Sequence, residues 1–121
     1  MKTYDSLPIH PIPIADRWCL HTYYAQSPYA PDGSGRLLIA GADLEADRGE
    51  IIVLDADRQI ETRFADEPLS NPFYHSAYWQ AWSPDARYVY YQSGTLLKPE
   101  MVRHDLTTGE RNTLRARVFV L

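Results

Sequence analysis

The chain has 121 residues and a net charge of −4, with 45% hydrophobic and 23% charged residues. This length predicts at most one compact domain, because domains usually run to about 100–150 residues, and the charge argues against a general nucleic-acid binder, which carries a basic surface. No stretch approaches the roughly 18 apolar residues of a membrane span, no signal peptide is evident, and the single cysteine, Cys19, cannot form an internal disulfide. We therefore expect a cytoplasmic protein whose partners include neither nucleic acid nor a membrane.

The first element in chain order is a proline-rich segment, residues 1–20. It contains Pro8, Pro11 and Pro13. Proline lacks a backbone N–H, so within sheets it is confined to edges, strand starts and bulges. We expect this segment to be extended or to lie at a sheet edge.

A repeat of about fifty residues covers most of the remaining chain. The motif His-Ser/Thr-x-Tyr-x-Gln begins at His21 and recurs 54 residues later at His75. Other matches follow in the same order: Pro31-Asp32 with Pro84-Asp85, Arg36 with Arg87, and Asp55 with Asp105. This ordered agreement indicates two copies of one structural unit.

Each copy contains short aromatic or β-branched runs bounded by turn residues, which predict strands. One strand is expected through Tyr24 or Tyr78, and another follows Asp55 or Asp105. No window shows the spacing of an amphipathic helix. The clearest strands are Arg36–Ala40, Ile51–Leu54, Arg87–Tyr91 and Met101–His104.

Turn residues separate these strands. Gly33 follows Pro31-Asp32 and supplies a positive φ, whereas the second copy has Ala86 there, so we expect its turn to differ or to avoid a positive φ. Gly109 is expected in the left-handed region. The acidic run from Asp43 to Glu50 lacks the glycine and glutamate of an EF-hand loop, and we predict a solvated turn between two strands.

Four antiparallel strands per repeat of this length are typical of β-propeller blades. We predict an all-β fold of about two four-stranded antiparallel blades in an incomplete ring, with a β-sandwich as the alternative. Two blades alone leave sheet faces uncovered, so we expect further blades or self-association to cover them. The expected divisions are an edge segment at 1–20, blades at 21–66 and 67–117, and the start of a further strand at 118–121.

The turn and strand pattern resembles the WD40-like repeats of TolB-type propellers. The resemblance is carried by Pro31-Asp32-Gly33 with the strand after it, by Trp82-Ser83-Pro84-Asp85 with the strand after it, and by Asp105–Glu110. More narrowly, the run from Tyr23 to Asp55 is similar to the opening blade of the oligogalacturonate lyase family. That family is a seven-bladed propeller that cleaves pectin-derived oligogalacturonates by β-elimination, using a divalent metal held by histidines and a glutamine of later blades.

The resemblance implies an N-terminal fragment of a carbohydrate-active propeller with an acidic oligosaccharide as its ligand. It implies no catalytic residue and no cofactor in this chain, and a manganese-like divalent metal in the missing blades. If the parent protein is an enzyme, it is a carbon–oxygen lyase. Two alternatives stay open: a non-catalytic TolB- or WD40-like fragment for binding or protein interaction, and a truncated reading frame without independent function.

The repeated motif supplies the candidate ligand-binding residues, because the first strand of a propeller blade lines the central channel. Strand alternation would place the Tyr and Gln of each copy on one face, where a hydroxyl and a carboxamide suit sugar hydroxyls. Repeat motifs commonly report structure, so the competing interpretation is packing between blades. The paired histidines have no further ligands at short spacing, and we predict no metal site. The candidates are His21, Tyr24, Gln26, His75, Tyr78 and Gln80.

Overall fold

The computed structural model describes residues 14–22, 26–69, 76–94 and 98–114. These residues form two four-stranded antiparallel sheets. The first sheet contains β1 (Trp18–His21), β2 (Leu37–Asp43), β3 (Arg48–Leu54) and β4 (Ile60–Pro68). The second sheet contains β5 (Ala81–Trp82), β6 (Tyr88–Gly94), β7 (Pro99–Asp105) and β8 (Arg111–Leu114).

Strands that are consecutive in the chain are neighbours in both sheets. This meander is the arrangement of a propeller blade, so the predicted all-β fold with two four-stranded blades is confirmed. The interpretation of residues 118–121, and most of that of residues 1–20, lies outside the described residues. No helix long and apolar enough to cross a membrane is found in the part of the chain that the structure describes.

The acidic run forms the turn of the hairpin between β2 and β3, as predicted. The four residues from Leu44 to Asp47 are exposed, and the Asp43 carboxylate accepts a hydrogen bond from the backbone N–H of Ala46 at 3.1 Å. A short polar side chain that bonds the backbone two or three residues on stabilises a turn of this kind.

The strand pairing corrects the alignment of the two copies by one residue. Leu37 pairs with Leu54 in the first sheet, and Val89 pairs with His104 in the second. Leu54 and His104 are equivalent positions, because each directly precedes the matched aspartate, Asp55 or Asp105. Their strand partners, Leu37 and Val89, are therefore equivalent as well. The match of Arg36 with Arg87 is therefore wrong, because the turn after Pro31 holds only one residue more than its counterpart rather than two.

The strand expected through Tyr78 is also wrong. Tyr78 lies in a turn, and Ala77 and Trp79 on either side of it have φ values of 51° and 55°, which an extended strand does not allow. The Gln80 side chain accepts the N–H of Tyr78 at 3.0 Å. The Tyr78 carbonyl still accepts the N–H of Gln92 on β6 at 2.7 Å, but the regular strand pairing to β6 begins at β5.

The turn at Ala86 keeps the positive φ that the sequence led us to doubt. Its φ is 59°, close to the 76° of Gly33. The carbonyl of Ser83 accepts the Ala86 N–H at 2.9 Å, and the Ser83 hydroxyl donates to Asp85 at 2.6 Å and accepts from Tyr88 at 2.9 Å. This network holds alanine in a conformation that normally favours glycine. Gly109, with φ of 77°, is left-handed as predicted.

The two sheets pack face to face around one shared core. Because strand residues alternate between faces, each sheet contributes every second residue to it. The first sheet also buries its opposite face, with Ile14 packed over Ile39, Ile52 and Leu54. The shared core contains Leu38, Ala40, Ala42, Ile51 and Val53 from the first sheet, and Ala77, Tyr78, Val89, Tyr91 and Val102 from the second part of the chain.

Candidate functional site

Tyr78 lies between the two sheets. Its hydroxyl is within hydrogen-bonding distance of the main-chain oxygens of Glu67 and Pro68, at 3.3 and 3.4 Å. Its ring covers Gly49 on β3 so closely that a Cβ atom there would overlap the phenol oxygen. Burial raises the pKa of Tyr78, so the hydroxyl stays a proton donor. Tyr78 joins the second part of the chain to the backbone of β3 and β4.

Gln80 is 1% exposed and lies beside Tyr78. Its Oε1 atom accepts from the Tyr78 backbone, while its Nε2 atom is buried and has no hydrogen-bond partner within the described residues. A buried amide commonly satisfies both its donor and its acceptor. The acceptor half of this carboxamide therefore supports the turn, while its donor half bonds to none of the described residues.

His21 and Gln26 lie on either side of Thr22 and are exposed. The buried Thr22 hydroxyl donates to the main-chain oxygen of Gln26 at 2.8 Å, and the His21 ring contacts the Thr22 carbonyl. Tyr24 and His75 lie outside the described residues. The structure thus brings Tyr78 together with Gln80, and His21 near Gln26, each pair in its own copy.

Trp82, the aromatic residue of β5, is held between the sheets. Its indole N–H donates to the carbonyl of Pro28 at 2.9 Å, and the guanidinium of Arg36 lies 5.1 Å from the ring centroid. Arg36 also pairs with Glu61 at 2.8 Å and donates to the Ala86 carbonyl at 3.4 Å. These contacts occupy both the polar edge and one face of the indole.

A polar cluster lies at the edge of the shared core. The Ser93 hydroxyl donates to the Glu67 carboxylate at 2.8 Å, Arg111 approaches that carboxylate to 3.8 Å, and Arg111 also donates to the Tyr91 hydroxyl at 3.2 Å. Burial raises the pKa of Tyr91, while its contact with Arg111 lowers it by a smaller amount. The cluster ties β4 to β6 and β8.

The first sheet carries a cavity that no motif in the sequence predicts. We call it the charged groove; its volume is about 400 Å³, and a bulge between Gly49 and Ile51 interrupts the β3–β4 pairing beside it. The acidic run from Asp43 to Glu50 is the one part of this groove that is continuous in the sequence, and the other lining residues lie far from it in the chain. The charged groove is lined by Arg17, Asp43, Arg48, Glu50, Arg63 and Asp66.

The charges of this groove are paired across strands. Arg63 and Arg17 both contact the Glu50 carboxylate, at 2.8 and 3.3 Å through their Nε atoms, and Arg48 pairs with Asp66 at 2.8 Å. The hydrogen bond to Glu50 raises the pKa of Arg63, and that to Asp66 raises the pKa of Arg48. The groove therefore offers fixed donors and acceptors without a free positive charge.

Comparisons with known proteins give one solved structure as a match. It is described as an oligogalacturonate lyase in complex with manganese, is 27% identical to this chain, and superposes with a TM-score of 0.60. The likeness covers 81% of this chain and 23% of that one, so the chain spans about a quarter of the length of its structural relative. No family model and no curated protein matches. The resemblance of the two sheets to blades of that propeller is confirmed.

The manganese of that relative does not fit the side chains described here. No group of three or more His, Cys, Asp or Glu residues is placed to hold a metal ion among residues 14–22, 26–69, 76–94 and 98–114. The carboxylates of the charged groove are instead bonded to arginines. We therefore assign no metal-dependent step to these residues.

Proposed function

We propose that this chain provides two blades of a carbohydrate-active β-propeller of the oligogalacturonate lyase type. The observation that carries the proposal is the structural likeness to such a lyase over 81% of the chain at 27% identity. The reaction class is β-elimination, in which a base removes the proton beside the uronate carboxylate. The bond to the leaving glycosidic oxygen then breaks, a carbon–carbon double bond forms, and the leaving oxygen takes up a proton.

Within this proposal the motif residues have two roles. His21 and Gln26 are exposed and are free to contact an acidic oligosaccharide through an imidazole and a carboxamide. Tyr78 and Gln80 are buried and position the blades, since their polar atoms bond the backbone of β4 and of their own turn. The proton transfer and the divalent metal of a manganese-dependent lyase would come from residues other than these.

The test is elimination activity of the longest natural polypeptide that contains this sequence. Digalacturonate and manganese are supplied, and the unsaturated product is followed by its ultraviolet absorbance. We expect turnover, and we expect Gln26→Ala to weaken substrate binding while Gln59→Ala, an exposed glutamine in the turn between β3 and β4, leaves it unchanged. No product from the full polypeptide would contradict the lyase proposal.

A second candidate is a non-catalytic propeller module. The burial of Tyr78 against β3 and β4 favours it, because this motif residue serves packing between sheets. Saturable binding of oligogalacturonate by the same polypeptide without product would identify this function. The same preparation and the same substrate decide between the two.

We also propose that the far face of the second sheet is covered by further blades or by a second copy of the chain. In the first sheet the corresponding positions hold buried residues: Leu38, Ala40 and Ile51. In the second sheet the same positions hold residues that are partly exposed: Tyr90, Gln92 and Met101. Size-exclusion chromatography of the 121-residue chain is expected to show self-association. A monomer at all concentrations would contradict this expectation.

A further inference from the structure

The far face of the second sheet carries an arginine that pairs with no carboxylate among the described residues. Arg103 stands on β7, and its guanidinium lies 4.6 Å from the ring centroid of Tyr88 on β6. Its Nε atom is buried and has no hydrogen-bond partner in the part of the chain that the structure describes. A charge that is removed from water is normally paired with an opposite charge. The position of Arg103 therefore calls for an acceptor that the two sheets do not supply.

The other charged groups beside Tyr88 pair with each other. Arg87 lies 5.2 Å from the centroid of the same ring, and its guanidinium contacts the Asp105 carboxylate at 3.0 Å. The other oxygen of Asp105 accepts hydrogen bonds from two backbone N–H groups of the turn that follows it, at 2.8 and 3.2 Å. Asp105 is thus committed to Arg87 and to its own turn, and the far face keeps one unpaired positive charge.

The neighbours of Arg103 on this face are aromatic, apolar or neutral. The strand register places Tyr90 and Gln92 of β6 on the same side as Met101 of β7 and Leu114 of β8, opposite the shared core. All four side chains are partly exposed. Tyrosine, methionine and arginine are enriched where proteins contact one another, and this set extends over three adjacent strands. The composition of the face is therefore that of a surface that packs against protein.

The first sheet shows what covers the equivalent face. Arg103 lies two residues before the matched aspartate of its copy, as Val53 does in the first copy. Val53 is fully buried in the core that the two sheets share. The contact between these sheets also includes an ion pair at its edge, in which Arg111 approaches the Glu67 carboxylate to 3.8 Å. Packing of one sheet on another with an ion pair across the contact is therefore already present in this chain.

We propose that the far face of the second sheet docks a further β-sheet of the same polypeptide, which places a carboxylate against Arg103 and apolar side chains against Tyr90 and Met101. The proposal rests on the propeller part of the proposed function and adds the chemistry of the partner. A second copy packed through the same face would bring two Arg103 charges into one contact without a carboxylate to pair them, which is unfavourable by Coulomb's law. The partner is therefore an acidic sheet face and not a copy of this one.

The test compares Arg103→Met in the longest natural polypeptide that contains this sequence with the same variant in the 121-residue chain. Methionine fills part of the same space and removes the charge. In the longer polypeptide the substitution leaves the partner carboxylate buried and unpaired, so we expect the melting temperature to fall by about 5 °C or more at neutral pH. In the 121-residue chain it should stay the same or rise.

Arg58→Met is the matched control. Arg58 also lies over a tyrosine, 5.8 Å from the ring centroid of Tyr29, and it forms no ion pair within the described residues. It stands in the turn between β3 and β4, away from the far face of the second sheet. We expect this variant to melt like its parent in both polypeptides.

A pH series in the longer polypeptide identifies the chemistry of the partner. A carboxylate that pairs with Arg103 has a lower pKa in the folded protein, so its stabilisation is complete above its unfolded pKa of about 4 and is lost as the pH falls through the folded value. The excess stability of the parent over Arg103→Met should therefore disappear between about pH 5 and 2. The titration of Asp105 cancels in this difference, because Asp105 pairs with Arg87 in both proteins.

The proposal is overturned if Arg103→Met costs the longer polypeptide no stability, if the 121-residue chain loses as much, or if the cost does not depend on pH. A natural polypeptide with no further sheet would overturn it as well. The elimination assay gives a separate result. A polypeptide that shows the pH-dependent loss but no turnover of digalacturonate would contradict the lyase function and leave this partner in place.

Discussion

The imidazole of His104 on β7 stacks on the ring of Phe64 on β4, with the centroids 3.8 Å apart and the planes 4° from parallel. Phe64 also contacts Tyr91, with a centroid distance of 6.1 Å. These rings join the outer strand of the first sheet to the inner face of the second. The contact between the sheets therefore includes one residue that can change its charge near neutral pH.

Burial lowers the pKa of His104, while the neighbouring Asp105 raises it by a smaller amount. A histidine whose pKa is lower in the folded chain than its unfolded value of about 6.5 binds fewer protons when folded, so the free energy of unfolding rises with pH between the two pKa values. The stabilisation by neutral His104 is complete above the unfolded pKa and is lost as the pH falls towards the folded pKa. We expect the free energy of unfolding to drop between about pH 7.5 and 5.5, as measured by urea denaturation.

The control for this prediction is His104→Phe, which keeps a stacked ring and removes the titration. Its loss of stability over the same pH interval should be smaller than that of the parent chain. Equal losses in both proteins would assign the pH dependence to other groups.

Gly49→Ala should destabilise the chain by about 1–3 kcal/mol, the usual cost of overpacking. The added methyl group would overlap the phenol of Tyr78, which is held by the main chain of β4. Denaturant unfolding measures the change. Tyr78→Phe removes the overlapping oxygen, so the double variant should lose less than the sum of the two single variants, and strict additivity would show that the two positions do not touch.

Arg36 and Trp82 should show a coupling of about 0.5–1 kcal/mol in a double-mutant cycle, because a partly desolvated cation over an indole is attracted to its face. Their contact bridges the sheets at 5.1 Å. Arg58 and Tyr29 form a matched pair at 5.8 Å with an exposed ring. The coupling energy of that surface pair should be smaller. A larger coupling energy there would contradict the interpretation that the contact of Arg36 with Trp82 stabilises the packing of the two sheets.

Gly33→Ala should cost about 1 kcal/mol, from backbone conformation alone. A Cβ atom at Gly33 meets nothing within 4 Å, while the φ of 76° disfavours side chains. Asparagine tolerates this region better than alanine, so thermal melting should rank the proteins Gly33, then Gly33→Asn, then Gly33→Ala. An alanine variant as stable as the parent would mean that the turn relaxes out of the left-handed region.

Local chemistry explains why much of the fold can be predicted. The strands β3 and β6 contain β-branched or aromatic runs, and β2 contains an apolar run. Turn residues bound these runs, so the strands follow from neighbouring residues alone. The hairpin turn after Asp43 and the left-handed Gly109 depend equally on a few adjacent side chains. The repeat then indicates two similar sheets, since the same local signals recur in the same order.

The register and the site depend on contacts between distant residues. Ala86 takes a positive φ because Ser83 and Asp85 fix its turn, and the segment around Tyr78 leaves the strand because Gln80 and the backbone of β4 hold it. Neither the positive φ of Ala86 nor the turn at Tyr78 can be predicted from the residue type at that position.

The sequence by itself determined the all-β class, the two repeats and the kinship with propeller blades, because strand and turn preferences are short-range. Only the tertiary structure decided that Tyr78 and Gln80 are buried, and that Arg17 before β1, Glu50 on β3 and Arg63 on β4 meet in one groove. Packing two twisted sheets selects which polar groups are desolvated and which face water. Which polar groups are buried therefore depends on contacts between residues that are distant in the chain.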